Sequence, residues 1–327
     1  MNVLVVGGAG YIGSHAVKML GQAGHDVWVY DNLSRGHREA VPTGRLISGE
    51  VADQAKLVAT LKDKRIDAVM HFAAFALVNE SVTDPSLYYR NNVIAALELL
   101  DAMREANVMR IVFSSTTATY GEPAVVPIPE TTPQQPINPY GFTKLVIEQA
   151  LADYAAAYGM AYAALRYFNA AGADPAGDIG EDHEPESHLI PIVLQVALGQ
   201  RDKITIYGDD YPTPDGTCIR DYIHVCDLAD AHLRALDRLQ PGKGLCLNLG
   251  TGRGTSVREI VEACRKVTGH EIPEVIGNRR AGDPPELIAD ARRAKAELGW
   301  VPKYQDVRSI VETAWNWHQQ HPRGYQS

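Results

Sequence analysis

The sequence contains few of the features that mark disulfide-rich or zinc-binding proteins. Only four cysteines occur in 327 residues, at positions 218, 226, 246 and 264. None of them forms a C-x-x-C pair or lies at a zinc-ligand spacing from a histidine. We therefore expect reduced thiols in a cytoplasmic protein, and no metal site.

Long apolar runs and an excess of basic residues are also missing. No stretch of about 18 apolar residues is present to span a bilayer, and no charged leader with a cleavage site precedes the first apolar segment. With 31 basic and 40 acidic residues, the net charge is −9. This charge predicts no general attraction to nucleic acid or to an acidic membrane. An anionic ligand must then be bound by local basic groups.

The remaining composition, 45% hydrophobic and 22% charged, is typical of a soluble globular protein of about two domains. Through the first half, short apolar segments alternate with helical patterns. The predicted strands cover 3–6, 27–30, 45–48, 67–72, 110–115 and 161–167, and the predicted helices cover 11–23, 54–64, 87–106 and 140–158. This alternation predicts an α/β fold with a doubly wound, Rossmann-like parallel sheet that binds ligands at the carboxyl ends of its strands.

The pattern changes after Asn169. A segment rich in glycine, proline and acidic residues follows at 174–188, and an earlier proline-rich segment at 121–139 is predicted to be a loop beside the crevice. We place a Rossmann-like domain at 1–170 and a smaller α/β substrate domain at 171–327. Parts of 217–250, including a predicted strand at 245–249, are expected to return to the first domain.

A glycine-rich turn follows the first predicted strand. Gly7, Gly10 and Gly13 are spaced G-x-x-G-x-x-G between the apolar residues 3–6 and a helical pattern. Glycine lets the backbone approach phosphates closely, and a helix N-terminus offers free N–H groups. The turn therefore predicts a site for a dinucleotide pyrophosphate, although many glycine turns bind nothing.

An acidic residue ends the second predicted strand. Asp31 can accept hydrogen bonds from the ribose hydroxyls of an adenosine and would repel a 2′-phosphate, which favours NAD over NADP. Arg35 and Arg38 lie close by in the sequence and leave NADP open as the alternative cofactor. The alternative role for Asp31 is to cap a turn.

A tyrosine and a lysine, Tyr140 and Lys144, are one turn apart on a predicted helix. A nearby ammonium and a nicotinamide cation would lower the phenol pKa, so that Tyr140 could remove the proton of a sugar hydroxyl. A hydroxyl from the strand end at 114–119 would align the phenol and the sugar hydroxyl. The alternative for Tyr140 and Lys144 is a pair on the surface of the helix. The alternative for the strand end is that its hydroxyls bond to their own backbone.

Further motifs along nearly the whole chain resemble those of the UDP-glucose 4-epimerases, in the extended short-chain dehydrogenase/reductase family. They are DNL at 31–33, HFAA at 71–74, NNV at 91–93, LRYFN at 165–169, GTCIRDYIHV at 216–225, NLG at 248–250 and RRAGD at 279–283. The resemblance implies a homodimer through the helices at about 87–106 and 140–158.

The resemblance also implies residue roles. Tyr140 would be the base, with Lys144 and Thr116 as its partners. The implied NAD-binding residues, besides these three and the glycines, are Tyr11, Ile12, Asp31, Asn32, Leu33, Ser34, Arg35, Gly36, Glu50, Val51, Phe72, Ala73, Ala74, Phe75, Ala76, Asn92 and Phe168.

A UDP-hexose would be the second ligand. Its implied binding residues, besides Thr116 and Tyr140, are Tyr167, Asn169, His188, Leu189, Thr205, Ile206, Tyr207, Arg220, Arg280, Asp283 and Leu287. Two arginines can bind a diphosphate bidentately, and Tyr207 can stack on uracil. The alternatives are solvated arginines, an Arg220–Asp221 salt bridge and a core position for Tyr207.

Four positions depart from the family pattern. Thr116 replaces a serine and keeps the hydroxyl, whereas Glu50 replaces an aspartate near the adenine. Ala76 replaces a lysine directed at the pyrophosphate, so weaker NAD binding is expected. Leu287 replaces a tyrosine associated with rejection of N-acetylated sugars, which leaves UDP-N-acetylhexosamines, and also UDP-pentoses, open as substrates.

The implied reaction interconverts UDP-galactose and UDP-glucose. The sugar C4 is oxidised, the 4-keto intermediate turns about its linkage to UDP, and the hydride returns to its other face. A nucleotide-sugar 4,6-dehydratase is a rival, but it needs an acid and a base where Thr117 and Ala118 stand. A non-catalytic NAD sensor is the second rival, although such proteins typically lose the tyrosine and the lysine.

Overall fold

The computed structural model describes residues 1–280 and 283–326 of the chain. Its strands are β1 (Asn2–Val6), β2 (Asp26–Asp31), β3 (Leu46–Ser48), β4 (Ala68–His71), β5 (Arg110–Ser114), β6 (Ala161–Arg166), β7 (Asn169–Ala171), β8 (Ile204–Tyr207), β9 (Ile219–Arg220), β10 (Tyr222–His224), β11 (Gly244–Asn248), β12 (Thr255–Ser256), β13 (Glu274–Gly277) and β14 (Glu286–Leu287). Its α-helices are α1 (Tyr11–Gln22), α2 (Gln54–Asp63), α3 (Val78–Thr83), α4 (Pro85–Tyr88), α5 (Ala95–Glu105), α6 (Pro139–Tyr158), α7 (Leu189–Ala197), α8 (Val225–Arg238), α9 (Val257–Thr268), α10 (Arg292–Leu298) and α11 (Val307–Gln320).

A parallel sheet of seven strands, in the order β11-β6-β5-β4-β1-β2-β3, forms the larger part of the fold. Val5 of β1 lies opposite Val29 on one side and Met70 on the other. The chain extends the sheet from β1 first in one direction and then in the other, so the strand order reverses between β1 and β4. A crevice opens at such a switch point. The prediction of a doubly wound parallel sheet is confirmed.

Helices cover both faces of this sheet, as the apolar strand sequences require. Val3 and Val5 belong to one buried cluster with residues of α1 and α8, whereas Leu4 and Val6 belong to a second cluster with residues of α2 and α5. Successive residues of a strand point to opposite faces, so one short apolar segment supplies both cores. The strands are thereby fixed, and their carboxyl ends are rigid supports for a site.

The smaller part of the fold contains short strand pairs and its own core. β8 pairs with β13, β7 pairs with β10, and β9 lies between β12 and β14. Buried residues of α7, α9 and α11 form the third apolar cluster, among them Val193, Val261 and Val311. The strand β11 follows β7, β8, β9 and β10 in the chain, yet it pairs in parallel with β6 of the large sheet.

Two helices near the crevice have local features that the sequence explains in part. The Asn138 side chain caps α6 by accepting the Gly141 N–H at 2.8 Å, and Pro139 occupies the first turn. The predicted regular helix at 87–106 is wrong in one respect, because a π-helical turn covers Tyr89–Ile94 between α4 and α5. Such turns often occur at functional sites. Among the described residues, no helix is both long and apolar enough to cross a membrane.

Candidate active site

The carboxyl ends of β1, β2, β4, β5 and β6 open onto one large cleft, with a volume of about 1190 Å³. The cleft extends from the large sheet to the smaller part of the fold. Predicted site residues that line it are Gly7, Gly10, Tyr11, Ile12, Gly13, Asp31, Asn32, Ser34, Arg35, Gly36, Glu50, Val51, Phe72, Ala73, Ala74, Phe75, Ala76, Thr116, Tyr140, Lys144, Tyr167, Phe168, Asn169, His188, Leu189, Thr205, Tyr207, Arg220, Arg280, Asp283 and Leu287.

Three of the predicted site residues do not line the cleft but lie behind the residues that do. Leu33 packs against the apolar core beside α1, and Ile206 is fully buried in β8. Asn92, in the π-helical turn, accepts the Phe75 N–H at 2.9 Å and donates to the Phe75 carbonyl at the same distance. The π-turn therefore supports the backbone that lines the cleft. Ala281 and Gly282 of the RRAGD motif lie outside the described residues.

The glycine turn after β1 has no room for side chains at its critical positions. Gly7 has φ +79°, and a Cβ there would lie 2.4 Å from the Ala73 backbone nitrogen. A Cβ at Gly13 would lie 2.2 Å from the Gly7 carbonyl oxygen. Gly10 precedes α1 without a side-chain cap, so the first N–H groups of the helix are available to an anion.

Asp31 has the turn-fixing role that its sequence position suggested, and it keeps acceptor positions for the other. One carboxylate oxygen accepts the Ala9 N–H at 3.0 Å, and the other accepts the Leu33 N–H at 2.8 Å, so the side chain fixes the glycine turn and the strand end. A carboxylate has about four acceptor positions. The lone pairs that remain can accept ribose hydroxyls in the cleft. Burial raises the pKa of Asp31, and the backbone N–H groups counter that effect.

Two polar side chains near Asp31 are already paired. Arg35 donates to Glu80 at 3.0 Å and lies over the Phe75 ring. Asn32 donates to the Glu50 carboxylate at 2.9 Å. Since Arg35 is bound to an acid of the same chain, it is poorly placed to receive a 2′-phosphate, and the arrangement favours NAD.

Tyr140 and Thr116 meet at the centre of the cleft. Tyr140 is in the first turn of α6, and the Thr116 hydroxyl follows β5. Burial raises the pKa of the Tyr140 phenol, whereas its hydrogen bond with Thr116 lowers it. The same threonine oxygen accepts the Ala118 N–H at 3.1 Å, which fixes its position. The predicted hydroxyl partner is therefore beside the phenol.

Lys144 is fully enclosed beneath this pair. Its ammonium donates to the Ser114 carbonyl at 2.8 Å and lies 4.8 Å from the centre of the Phe113 ring. Burial lowers the pKa of Lys144 to about 7, and Glu148 opposes the shift. In the protein alone, burial is the larger of the two influences on the Tyr140 pKa.

The opposite wall of the cleft presents cations and an aromatic ring. Arg220 forms an ion pair with Asp283 and donates to the Ile219 carbonyl at 2.7 Å. The Arg280 guanidinium lies 4.1 Å from the centre of the Tyr207 ring, which is 43% exposed. The exposed ring face and the two guanidiniums can bind a base and a diphosphate. Asp221 pairs with Thr251 and not with Arg220 in the described contacts.

Sequence reasoning missed a compact group of acids and histidines in the loop before α7. Glu181 and His183 line the cleft beside the predicted residue His188, and Glu186 completes the group. The carboxylates raise the pKa of His183 to about 9 and that of His188 to about 10 against the effect of burial, and the histidines lower those of the two glutamates. The spacing E-x-H-x-x-E-x-H is the signal in the sequence that could have found this group.

The comparisons with known proteins agree with this geometry. Residues 3–250 match the model of the NAD dependent epimerase/dehydratase family. The UDP-glucose 4-epimerase of Halalkalibacterium halodurans is 56% identical over 326 residues, which cover 99% of this chain and 98% of the relative. The crystal structure of UDP-glucose 4-epimerase from Brucella ovis in complex with NAD has a TM-score of 0.93 at 54% identity, covering 96% and 97% of the two chains.

A third match includes a nucleotide. The crystal structure of UDP-glucose 4-epimerase from Bifidobacterium longum in complex with NAD⁺ and UDP has a TM-score of 0.94 at 40% identity, and it covers 99% of this chain and 100% of that one. The similarity extends over both parts of the fold and therefore over the whole cleft. The chain belongs to the NAD dependent epimerase/dehydratase family and, within it, to the UDP-glucose 4-epimerases.

Proposed function

We propose that the protein interconverts UDP-galactose and UDP-glucose by oxidation and re-reduction of the sugar C4, with NAD retained throughout. One observation carries the proposal. The buried phenol–hydroxyl pair of Tyr140 and Thr116 lies between a glycine-turn cradle and a wall of cations and aromatics, all in one cleft. A dinucleotide on one side and a nucleotide sugar on the other would place a hexose carbon at the phenol.

The residues of the large sheet suit NAD. The Gly7 turn and the uncapped start of α1 would hold the pyrophosphate, and the Asp31 carboxylate would hold the adenosine ribose. When bound there, NAD accepts a hydride from the sugar C4 and later returns it. Ala76 offers the pyrophosphate no cation, so the backbone carries most of the binding.

Tyr140 would remove the proton of the 4-hydroxyl, and Thr116 would hold that hydroxyl in line with the phenol. Since burial raises the pKa of the free phenol, the chain alone keeps Tyr140 protonated. A positive charge near the phenol favours phenolate. We propose that the oxidised nicotinamide ring supplies this charge and that Lys144, with a pKa of about 7, adds to it when protonated.

The UDP half would be held by Arg220, Arg280 and Tyr207, with Asp283 accepting ribose hydroxyls after release from Arg220. These contacts lie on the nucleotide and not on the hexose. Binding energy from a remote part of the substrate can hold it while the reacting part stays free. The 4-keto sugar can therefore turn and present its other face to Tyr140.

Product analysis tests the proposal. The purified protein is incubated with UDP-galactose, and the sugars are followed by NMR. UDP-glucose is the expected product, whereas a 4-keto-6-deoxy sugar would identify a dehydratase, and no turnover would identify an NAD-binding sensor. A parallel reaction with UDP-N-acetylgalactosamine measures whether Leu287, which lines the cleft, admits the acetamido group.

We also propose a homodimer through the face formed by α3, the π-helical turn and α6. Large apolar side chains are exposed there, including Val82, Tyr89, Ile94 and Phe142. The rings of Tyr89 and Phe142 are 6.4 Å apart, so the patch crosses from one helix to the next. A contiguous apolar patch favours a protein interface. Light scattering should give twice the chain mass, and Phe142→Glu should shift the protein toward the monomer.

A cytoplasmic location is the last part of the proposal. All four cysteines are free thiols, and Cys218 and Cys264 are buried. Free thiols persist in a reducing compartment. Fractionation of cells that express the full chain should recover it with cytoplasmic markers.

A further inference from the structure

The loop between β7 and α7 brings four potential metal ligands together in eight residues. Glu181, His183, Glu186 and His188 each offer one ligand atom, and these atoms all lie within 4.8 Å of one another. The group is separate from the Tyr140–Thr116 pair. Its only other role here is that of His188 on the substrate side of the cleft.

Three of the four His–Glu separations in the group are close to those of ligands around a single small cation, and the fourth would have to open to admit the ion. His183 Nδ1 lies 3.4 Å from a Glu181 oxygen and 3.6 Å from a Glu186 oxygen. His188 Nδ1 lies 2.7 Å and 3.4 Å from oxygens of the same two carboxylates. Ligands at about 2.05 Å from a tetrahedral zinc ion are about 3.3 Å apart.

Three of these atoms are buried without a well-aligned hydrogen bond from any described residue. They are Oε1 of Glu181 and Nδ1 of His183 and of His188. The Glu181 side chain is only 4% exposed. These atoms contact one another without good hydrogen-bond geometry, and a cation at the point where they converge would satisfy all three.

We infer that Glu181, His183, Glu186 and His188 bind one Zn²⁺ ion. Two imidazole nitrogens and two carboxylate oxygens are a ligand set that zinc accepts in tetrahedral geometry. The two carboxylates cancel the charge of the ion, as a largely buried site requires. Glu186 is already oriented, because one of its oxygens accepts the N–H groups of Ser187 and His188 at 2.7 and 2.8 Å.

The ion would order a loop that contacts both halves of the cleft. The Tyr11 ring, in the turn after β1, lies edge-on to His183 with centroids 6.1 Å apart. Asp182 accepts the Tyr325 N–H at 2.9 Å, and its carbonyl contacts the His37 ring. The role of the ion would be structural, so the inference does not depend on the proposed reaction.

Zinc binding to the intact protein tests the inference. The purified protein is stripped with a chelator, dialysed against Zn²⁺ and analysed for metal, and its affinity is measured by competition with a chromophoric chelator. One zinc per chain is expected. His183→Gln and Glu186→Gln should each weaken binding by at least about 100-fold, given that loss of a mere supporting contact costs 10–100-fold. His270→Gln, an exposed histidine outside the group, should leave binding unchanged.

X-ray absorption of the zinc-loaded wild-type protein tests the site without variants, which could misfold. The expected spectrum shows four nitrogen or oxygen ligands at about 2.0–2.2 Å, with the outer scattering of two imidazoles. Zinc that binds no better than to a histidine-poor control protein, sulfur ligands, or binding that is the same in all variants would overturn the inference. If the four residues are held together only by protonated histidines, zinc will bind no better than to the control protein. No readout uses turnover, so failure here is distinct from failure of the proposed function.

Discussion

The two walls of the cleft differ in the kind of groups that they offer to a ligand. On the wall formed by the large sheet, the contacts come from backbone and from short buried groups, such as the Gly7 turn and the Asp31 carboxylate, which is 8% exposed. On the opposite wall they come from long side chains, such as Arg220 in the three-stranded sheet and Arg280 in the segment between β13 and β14. Backbone contacts are rigid, whereas arginine side chains retain rotamer freedom until a ligand orders them.

This difference matches what each ligand must do in the proposed reaction. A cofactor that stays bound through many cycles benefits from a cradle formed before binding. A substrate that must enter, turn and leave benefits from contacts that form around its nucleotide. Variants that affect one wall, or only the junction between the walls, therefore test the comparison.

The largest effect is expected at the junction. Tyr140→Phe removes the phenol oxygen but keeps the ring, so both walls should bind as before while proton transfer is lost. We expect turnover of UDP-galactose to fall at least about 10³-fold, within the range for positioned acid–base groups. Retained NAD, measured after denaturation of the purified variant, should be unchanged. Near-normal turnover would exclude Tyr140 as the base.

A smaller effect is expected when the rigid wall is altered. Gly7→Ala places a Cβ 2.4 Å from the Ala73 nitrogen, where neither backbone can move without disturbing the sheet. NAD should bind at least about tenfold more weakly, or 1.4 kcal/mol. Gly159→Ala is the matched control, because Gly159 has φ +77° with nothing within 4 Å. If both variants lost NAD equally, the effect would come from the positive φ and not from the clash with Ala73.

A change on the adaptable wall should affect the substrate and not NAD. Arg220→Lys keeps the charge but loses the planar pair of donors, which costs roughly 1.5–3 kcal/mol for a charged hydrogen bond. KM for UDP-galactose should rise by about 10- to 100-fold, with kcat changed little and NAD retained. Arg292→Lys is the control, because Arg292 is exposed and also forms an ion pair with an aspartate. A fall in kcat without a rise in KM would place Arg220 at the reacting sugar instead.

The smallest effect concerns the buried lysine beneath the junction. Burial lowers the pKa of Lys144 in the folded protein to about 7, whereas lysine ordinarily has a pKa of 10.5, so between these pH values the unfolded chain binds more protons than the folded chain. The free energy of unfolding should therefore rise with pH in that window, by roughly 2 kcal/mol from about pH 7 to about pH 9. Lys144→Met should lack this rise in urea unfolding without added NAD. An identical slope in both proteins would mean that Lys144 has an ordinary pKa.

The rigid wall was also the more predictable one. Its strands are short apolar segments with glycines or acids at their ends, so local sequence pattern is sufficient to order β1, β2, β4 and β5. Tyr140 and Lys144 were found through helical spacing. Their environment was not, because burial governs both pKa values, and the contacts of Lys144 with the Phe113 ring and the Ser114 carbonyl depend on tertiary packing.

The adaptable wall depended on family resemblance. Its strands contain only two to four residues, so the Arg220–Asp283 pair did not follow from local pattern. The π-turn at Tyr89–Ile94 was missed for a similar reason. Its Asn92 is bonded to Phe75, a contact between residues far apart in the sequence.

The central claim is that one retained cofactor holds the substrate hydrogen while the sugar turns. UDP-galactose with deuterium at C4 tests it directly, by mass spectrometry and NMR of the UDP-glucose formed in ordinary water. The account predicts that the deuterium is kept at C4 and that none is lost to solvent. Product with hydrogen from water at C4 would contradict it, because the carbon would then exchange a proton rather than a hydride.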